Sequence, residues 1–206
     1  MNSPFRWLAC AATAALLAGC ASIPGPSPVE VTRFHDVSAL SEASGRSVFV
    51  VDAPSSEETG LSSSAYKRAV ASELNRLGFA EAGGDAAGLV AEVRLERFQI
   101  AAESRRRGPV DIGVGGSTGS YGSGVGLGIG INLGGGGSDE RVGTELGVML
   151  KDKSTGKTVW EGRAQFTVSP KSELAAADRN AQIIAEAMFR EFPGNNGETI
   201  EVEVTE

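Results

Sequence analysis

Few residues in this chain combine the types and spacing that catalysis requires. The single histidine, His35, stands beside Asp36. A Ser-His-Asp device needs the imidazole between nucleophile and orienting acid, and no Gly-x-Ser-x-Gly elbow supplies the nucleophile. His35 is therefore expected to be a partly exposed structural residue, and one histidine without a free thiol makes a zinc site an unfavourable reading. The acidic pairs Glu57-Glu58 and Asp139-Glu140 fall in expected loops, where solvation opposes the burial that tunes a general acid. Gly156-Lys157-Thr158 has the ending of a phosphate-binding loop, but position 151 is Lys where that motif needs Gly. The segment also joins two strands instead of opening a helix, so no amide array faces a phosphate. No catalytic residue, metal ligand, cofactor or nucleotide site is assigned, and the chain is read as a non-enzyme.

The residue with the clearest chemistry is Cys20. Residues 1–15 carry one charge, Arg6, within a run of small and apolar residues, the pattern of a secretory signal peptide. Leu16-Leu17-Ala18-Gly19-Cys20 then resembles the bacterial lipobox, which implies cleavage between Gly19 and Cys20 and acylation of Cys20. Cys10 lies in the discarded segment and Cys20 carries lipid, so neither of the two cysteines remains as a thiol. Cysteine catalysis and disulfides are excluded on that reading. Buried methylenes contribute ~0.8 kcal/mol each, so several acyl chains anchor without a spanning helix. Ala21 and Ser22 follow the cysteine. In enteric-type sorting an Asp there would retain the protein at the inner membrane, so the outer membrane is expected.

Composition narrows the partners. The formal charge is -7, and phosphate binding needs clustered Lys and Arg, so nucleic acid is not an expected partner. The one basic run, Arg105-Arg106-Arg107, reads as a solvated turn.

The elements divide the chain into a signal peptide at 1–19, a lipidated Cys and Pro-spaced tether at 20–28, and a single domain at 29–206. Val29 to Phe34 alternates as a strand. Val48-Phe49-Val50-Val51 is continuous enough for a strand covered on both faces. A helix is expected over Ser64 to Leu77, with the serines at 62–64 as caps, Gly78 as stop, and Tyr66, Val70, Leu74 and Leu77 on its buried face. Leu89 to Phe98 and Val142 to Leu150 alternate as strands with one wet face. Lys151 to Lys157 connects a hairpin into Thr158 to Val168, where Trp160, Ala164, Phe166 and Val168 share a face and Trp160 is a core anchor. Pro170 and Ser172 open a second helix that ends near Phe192. Thr199 to Val204 reads as an edge strand, its glutamates discouraging edge-to-edge pairing, or as a frayed tail. The fold class is α+β: a twisted, mostly antiparallel sheet with two helices packed on one face, plus a glycine-rich inserted hairpin or loop.

That insertion, 108–137, is the unusual segment. Val125, Leu127, Ile129, Ile131 and Leu133 alternate with glycines and Asn132, which on a strand gives one greasy face and one bare backbone face. Val110, Ile112 and Val114 supply a partner strand. Each strand glycine costs ~0.5–1 kcal/mol relative to alanine, and a lone hairpin is marginal in water. Two readings follow: a flexible insertion between core strands, or an interaction arm that docks on a protein partner or a second copy, or dips into the lipid interface. Nine residues span roughly 30 Å, but open hairpin edges could not cross a bilayer without oligomeric closure.

Gly143-Thr144, the Leu146 to Lys151 strand, Asp152, Thr155-Gly156-Lys157, Val159-Trp160-Glu161-Gly162 and the closing Phe192-Pro193 together resemble the DUF4136 family of bacterial lipoproteins. Leu77-Gly78-Phe79 and the strand near Leu89 to Leu95 fit the same layout. The resemblance implies an envelope lipoprotein and a fold, and no catalytic residue. The expected role is a lipid-anchored interaction or structural module. The alternative is an accessory lipoprotein of a transport or lipid-trafficking assembly that holds an apolar ligand between sheet and helices.

Overall fold

A computed structural model of the chain describes residues 25–43, 46–54, 56–100 and 140–204. Six strands form one open sheet in the order β2-β3-β4-β5-β1-β6. They are β1 (Val29–His35), β2 (Val48–Asp52), β3 (Leu89–Ile100), β4 (Arg141–Asp152), β5 (Thr158–Val168) and β6 (Thr199–Val202). All neighbours are antiparallel except β2 with β3. Helices α1 (Val37–Ala43), α2 (Leu61–Arg76) and α3 (Ala177–Phe189) complete the α+β fold.

Strict alternation builds the core. Leu89, Ala91, Val93 and Leu95 of β3 and Leu146, Val148 and Leu150 of β4 are buried, and Ala91, Val93 and Leu95 pair with Leu150, Val148 and Leu146 across the strands. Trp160, Ala164, Phe166 and Val168 of β5 extend the same face. Tyr66, Val70 and Leu74 of α2, with Ile184, Met188 and Phe189 of α3, close it. The Tyr66 hydroxyl donates to Asn180 Oδ1 at 3.0 Å, and Asn180 Nδ2 donates to the Leu174 carbonyl at 3.0 Å. A buried polar tie of this kind fixes the register of α2 on α3, because leaving either group unpaired costs about 1–3 kcal/mol. The opposite sheet face is wet and laced with charge, with Lys151–Glu92 at 2.7 Å and Arg163–Glu161 at 2.7 Å.

Several expectations need correction. A third helix, α1, follows β1; Asp36 Oδ1 caps it by accepting from the Ser38 and Ala39 amides, and seven residues are too short for a clear periodic signal. The β2 run is not covered on both faces. It is an edge strand with Val48 1% and Phe49 36% exposed, and among the described residues only an isolated bridge from Val48 to Glu81 lies beyond it. Helix α2 begins at Leu61 after Gly60, so Ser62, Ser63 and Ser64 sit inside its first turn. Their hydroxyls donate back to the carbonyls of Thr59, Gly60 and Leu61 instead of capping amides. It stops as expected, with Gly78 at φ 93° and the Phe79 amide bonded to the Leu74 carbonyl. The segment from Ser172 is broken: Ser172 caps a 3-10 turn at Glu173–Ala175, and α3 runs only from Ala177 to Phe189.

Candidate functional site

The residues singled out in the sequence fall into two groups. Gly19, Cys20, the run Arg105 to Arg107, Asp139, and Val125, Leu127, Ile129, Ile131 and Leu133 of the expected arm all lie outside the described residues. The others are placed. His35 ends β1 and its amide donates to Asn196 Oδ1 at 3.0 Å, while Asp36 is committed to capping α1. The Ser38 hydroxyl and the Ala39 amide hold the Asp36 carboxyl below its usual value. Glu57, Glu58 and Glu140 lie in connecting segments. Trp160 is fully buried, stacked on Phe189 with centroids 5.2 Å apart, and its Nε1 donates to the Pro193 carbonyl at 3.2 Å. Gly156 occupies the β4–β5 turn at φ 70°, a conformation that suits glycine in a hairpin.

Three polar clusters were not foreseen, and each serves the fold. Asp52 closes β2 onto α2: Oδ1 accepts from the Ser63 hydroxyl, and Oδ2 accepts from Lys67 Nζ at 2.7 Å. Partial burial pushes the Asp52 carboxyl up, but Lys67, Ser63 and the Gly60 amide together hold it below the usual carboxylate value. Ser64 and Lys67 stand at a Ser-x-x-Lys spacing used in some acyl transfer. Here Lys67 Nζ is engaged by Asp52, and Ser64 Oγ donates to the Leu61 carbonyl at 2.8 Å, so the two side chains do not meet. Asp152 accepts from the Ser154 hydroxyl and amide, from the Thr155 amide and from Arg46, which holds its carboxyl well below the usual range. Arg33 is 1% exposed, and its Nη1 donates to the Arg190 carbonyl. Burial lowers its guanidinium, while Glu191 and Glu198 oppose that effect. Parity could have found Arg33, since Val29, Val31 and Arg33 occupy the inward positions of one strand.

A different assembly forms at one end of the sheet. Ser27 extends the β1–β5 pairing, its amide donating to the Thr167 carbonyl at 2.9 Å and its hydroxyl accepting from the Thr167 amide at 3.0 Å. Arg141 Nη2 donates to the Gly25 carbonyl at 2.7 Å. Arg141 is also the partner of Ile100, so this strand pair ends beside the incoming tether. Next to them, the starts of α2 and α3 border an open cleft of about 550 Å³, lined by Leu61, Phe98 and Val142 together with Arg68, Arg97 and Asp178. Arg68 pairs with Asp178 at 3.1 Å, and Arg97 Nη2 donates to the Ala175 carbonyl at 2.9 Å. The cleft presents apolar groups and charges of both signs, Glu58 and Asp178 against Arg68 and Arg97, but aligns no nucleophile with a base. Among the described residues, no group of three or more His, Cys, Asp or Glu is placed to hold a metal.

A family model described as a domain of unknown function, DUF4136, matches residues 37–194. The uncharacterized protein ZMO1243 of Zymomonas mobilis is 34% identical over 65 residues, covering 32% of this chain and 24% of the relative. The match thus spans about a quarter of that relative's length. Among solved structures, a PelC dodecamer from Paraburkholderia phytofirmans is similar with a TM-score of 0.46 and 14% identity, over 78% of this chain and 94% of that one. A PDZ domain protein from Parabacteroides distasonis has a TM-score of 0.44 and 13% identity, over 93% of this chain and 42% of that one.

Proposed function

This chain belongs to the DUF4136 family, and we propose that it is a lipid-anchored envelope protein whose domain serves interaction, not catalysis. The observation that carries the reading is the filled contact between sheet and helices. Trp160, Phe166, Tyr66, Phe189, Leu74 and Leu95 are each at most 1% exposed. A carrier needs an apolar chamber of roughly 300–1,000 Å³ at that place, and these side chains occupy it. The Asp36, Asp52, Asp152, Ser63, Ser64 and Lys67 side chains are tied into caps, turns and strand ends, which favours a scaffold over an enzyme. Acylation at Cys20 supplies the anchor, and the absence of Asp after it favours the outer membrane. No helix among the described residues is long and apolar enough to cross a membrane, a statement that leaves barrels aside.

The insertion 108–137 is the contact element in this reading, offered to a protein partner or a second copy. Mild crosslinking of membranes followed by size separation tests it. Deleting Gly108 to Gly137 should leave the domain folded and remove its crosslinked assemblies, while unchanged assemblies with unchanged stability would refute the docking role. The runner-up, an accessory lipoprotein that binds an apolar ligand, draws on the open cleft beside Phe98 and Leu61. Copurification of a lipid with the intact protein would favour it.

A further inference from the structure

The tether does not leave the domain at an arbitrary point. Ser27 is stitched to Thr167 and Gly25 to Arg141, so the chain enters where β4 begins and β5 ends. At the other end of these strands are the 153–157 turn, His35, Asp36 and the start of α1. Strand β4 has 12 residues, which separates the two ends by roughly 40 Å at ~3.4 Å per residue. From Gly25 back to Cys20 is five residues, a span of at most about 18 Å. An acyl group on Cys20 therefore holds one end of the domain, and only that end, close to lipid.

That end also displays apolar side chains. Leu61, the first residue of α2, is 93% exposed, and Phe98 is 44% exposed beside the same cleft. The charges lining this cleft balance, Arg68 and Arg97 against Glu58 and Asp178, although the chain carries -7. An evenly charged end meets an anionic headgroup layer with less repulsion than the acidic remainder. Phe34 and Val37, also exposed, lie toward the far end and serve as the natural control.

We propose that the end formed by the starts of α2, α3 and β4 is the membrane-facing surface. Leu61 and Phe98 seat in the interface of the same bilayer that holds Cys20. The Gly25–Arg141 and Ser27–Thr167 contacts set the orientation. This inference rests on the acyl-anchor reading and adds a direction to it.

The test uses the intact acylated protein in vesicles of phosphatidylethanolamine and phosphatidylglycerol. Because the Cys20 sulfur is blocked by its thioether and Cys10 is removed with the leader, Leu61→Cys and Val37→Cys each carry one reactive thiol for a fluorescent probe. Lipids bearing a headgroup nitroxide should quench the probe at position 61 at least threefold more than the probe at 37. Equal or reversed quenching, with the protein still floating with vesicles, overturns the orientation alone. A probe at 61 shielded from both lipid and aqueous quenchers marks a protein contact and equally overturns it. Failure of the unsubstituted protein to float refutes the acyl anchor and this orientation with it. Loss of flotation in Cys20→Ala supports the anchor.

Discussion

A methyl group added at Gly162 and one added at Gly143 should have different consequences, although both glycines lie in central strands. An alanine Cβ at 162 would collide with the Trp160 indole, which is fully buried, stacked on Phe189 and bonded to the Pro193 carbonyl. That ring has nowhere to go, and overpacking of this kind costs about 1–3 kcal/mol. At 143 the collision is with the outer atoms of Phe98, a ring 44% exposed on the wet face that can swing aside. Gly143→Ala should therefore stay within about 0.5 kcal/mol of the parent. Urea unfolding of the two variants measures the difference, and equal losses would contradict this account of the Trp160 anchor. At this scale the sequence was partly legible. Trp160 could be assigned to the core because Phe166 and Val168 share its parity. Arg33 was missed because a guanidinium on an apolar face contradicts composition, and its Arg190 carbonyl partner lies far along the chain.

At the scale of elements, two carboxylates join pieces that the sequence alone could not connect. Asp52 ties the end of β2 to α2 through Ser63 and Lys67, and Asp152 ties the β4–β5 turn to Arg46. Both are depressed in the folded state, so the folded protein holds fewer protons than the unfolded chain near their ordinary values. The stability they contribute is complete above about pH 4, the unfolded carboxylate value, and is lost as pH falls through the depressed values. Thermal midpoints across that acid range should fall steeply for the parent and less steeply for Asp52→Asn. That variant should already be weaker at neutral pH by about 1 kcal/mol, as expected for a partly exposed pair. An unchanged acid slope would contradict the assignment. Strands β3, β4 and β5 were legible because strict alternation survives wherever one face is buried and the other is wet. The edge position of β2 was not, since an apolar run looks alike in a central strand and in an edge strand. The start of α2 was also misplaced, because the serines that resemble caps donate to carbonyls behind them.

At the scale of the whole molecule, one end of the sheet gathers the tether, the paired Ile100 and Arg141, two helix starts and the exposed Leu61 and Phe98. No local pattern reveals this, because it depends on strand order, and β1 lies beside β5 only in the folded sheet. What the sequence does display is a stretch that resembles a lipobox, on which the proposed anchor rests, since such a signal is contiguous and needs no fold to be recognised. The expected arm residues, Val125 to Leu133, lie outside the described residues, so their alternation stays a sequence argument. The proposed anchor and orientation together would give the α+β domain a membrane side and a free side about 40 Å away. The wet sheet face and the β4–β5 turn then remain open to partners in the envelope. All of this depends on Cys20. The most direct measurement is the mass of the N-terminal peptide of the protein extracted from membranes: it should begin at Cys20 and carry a diacylglyceryl group, whereas a peptide with an unmodified Cys20 or a retained leader would contradict the account.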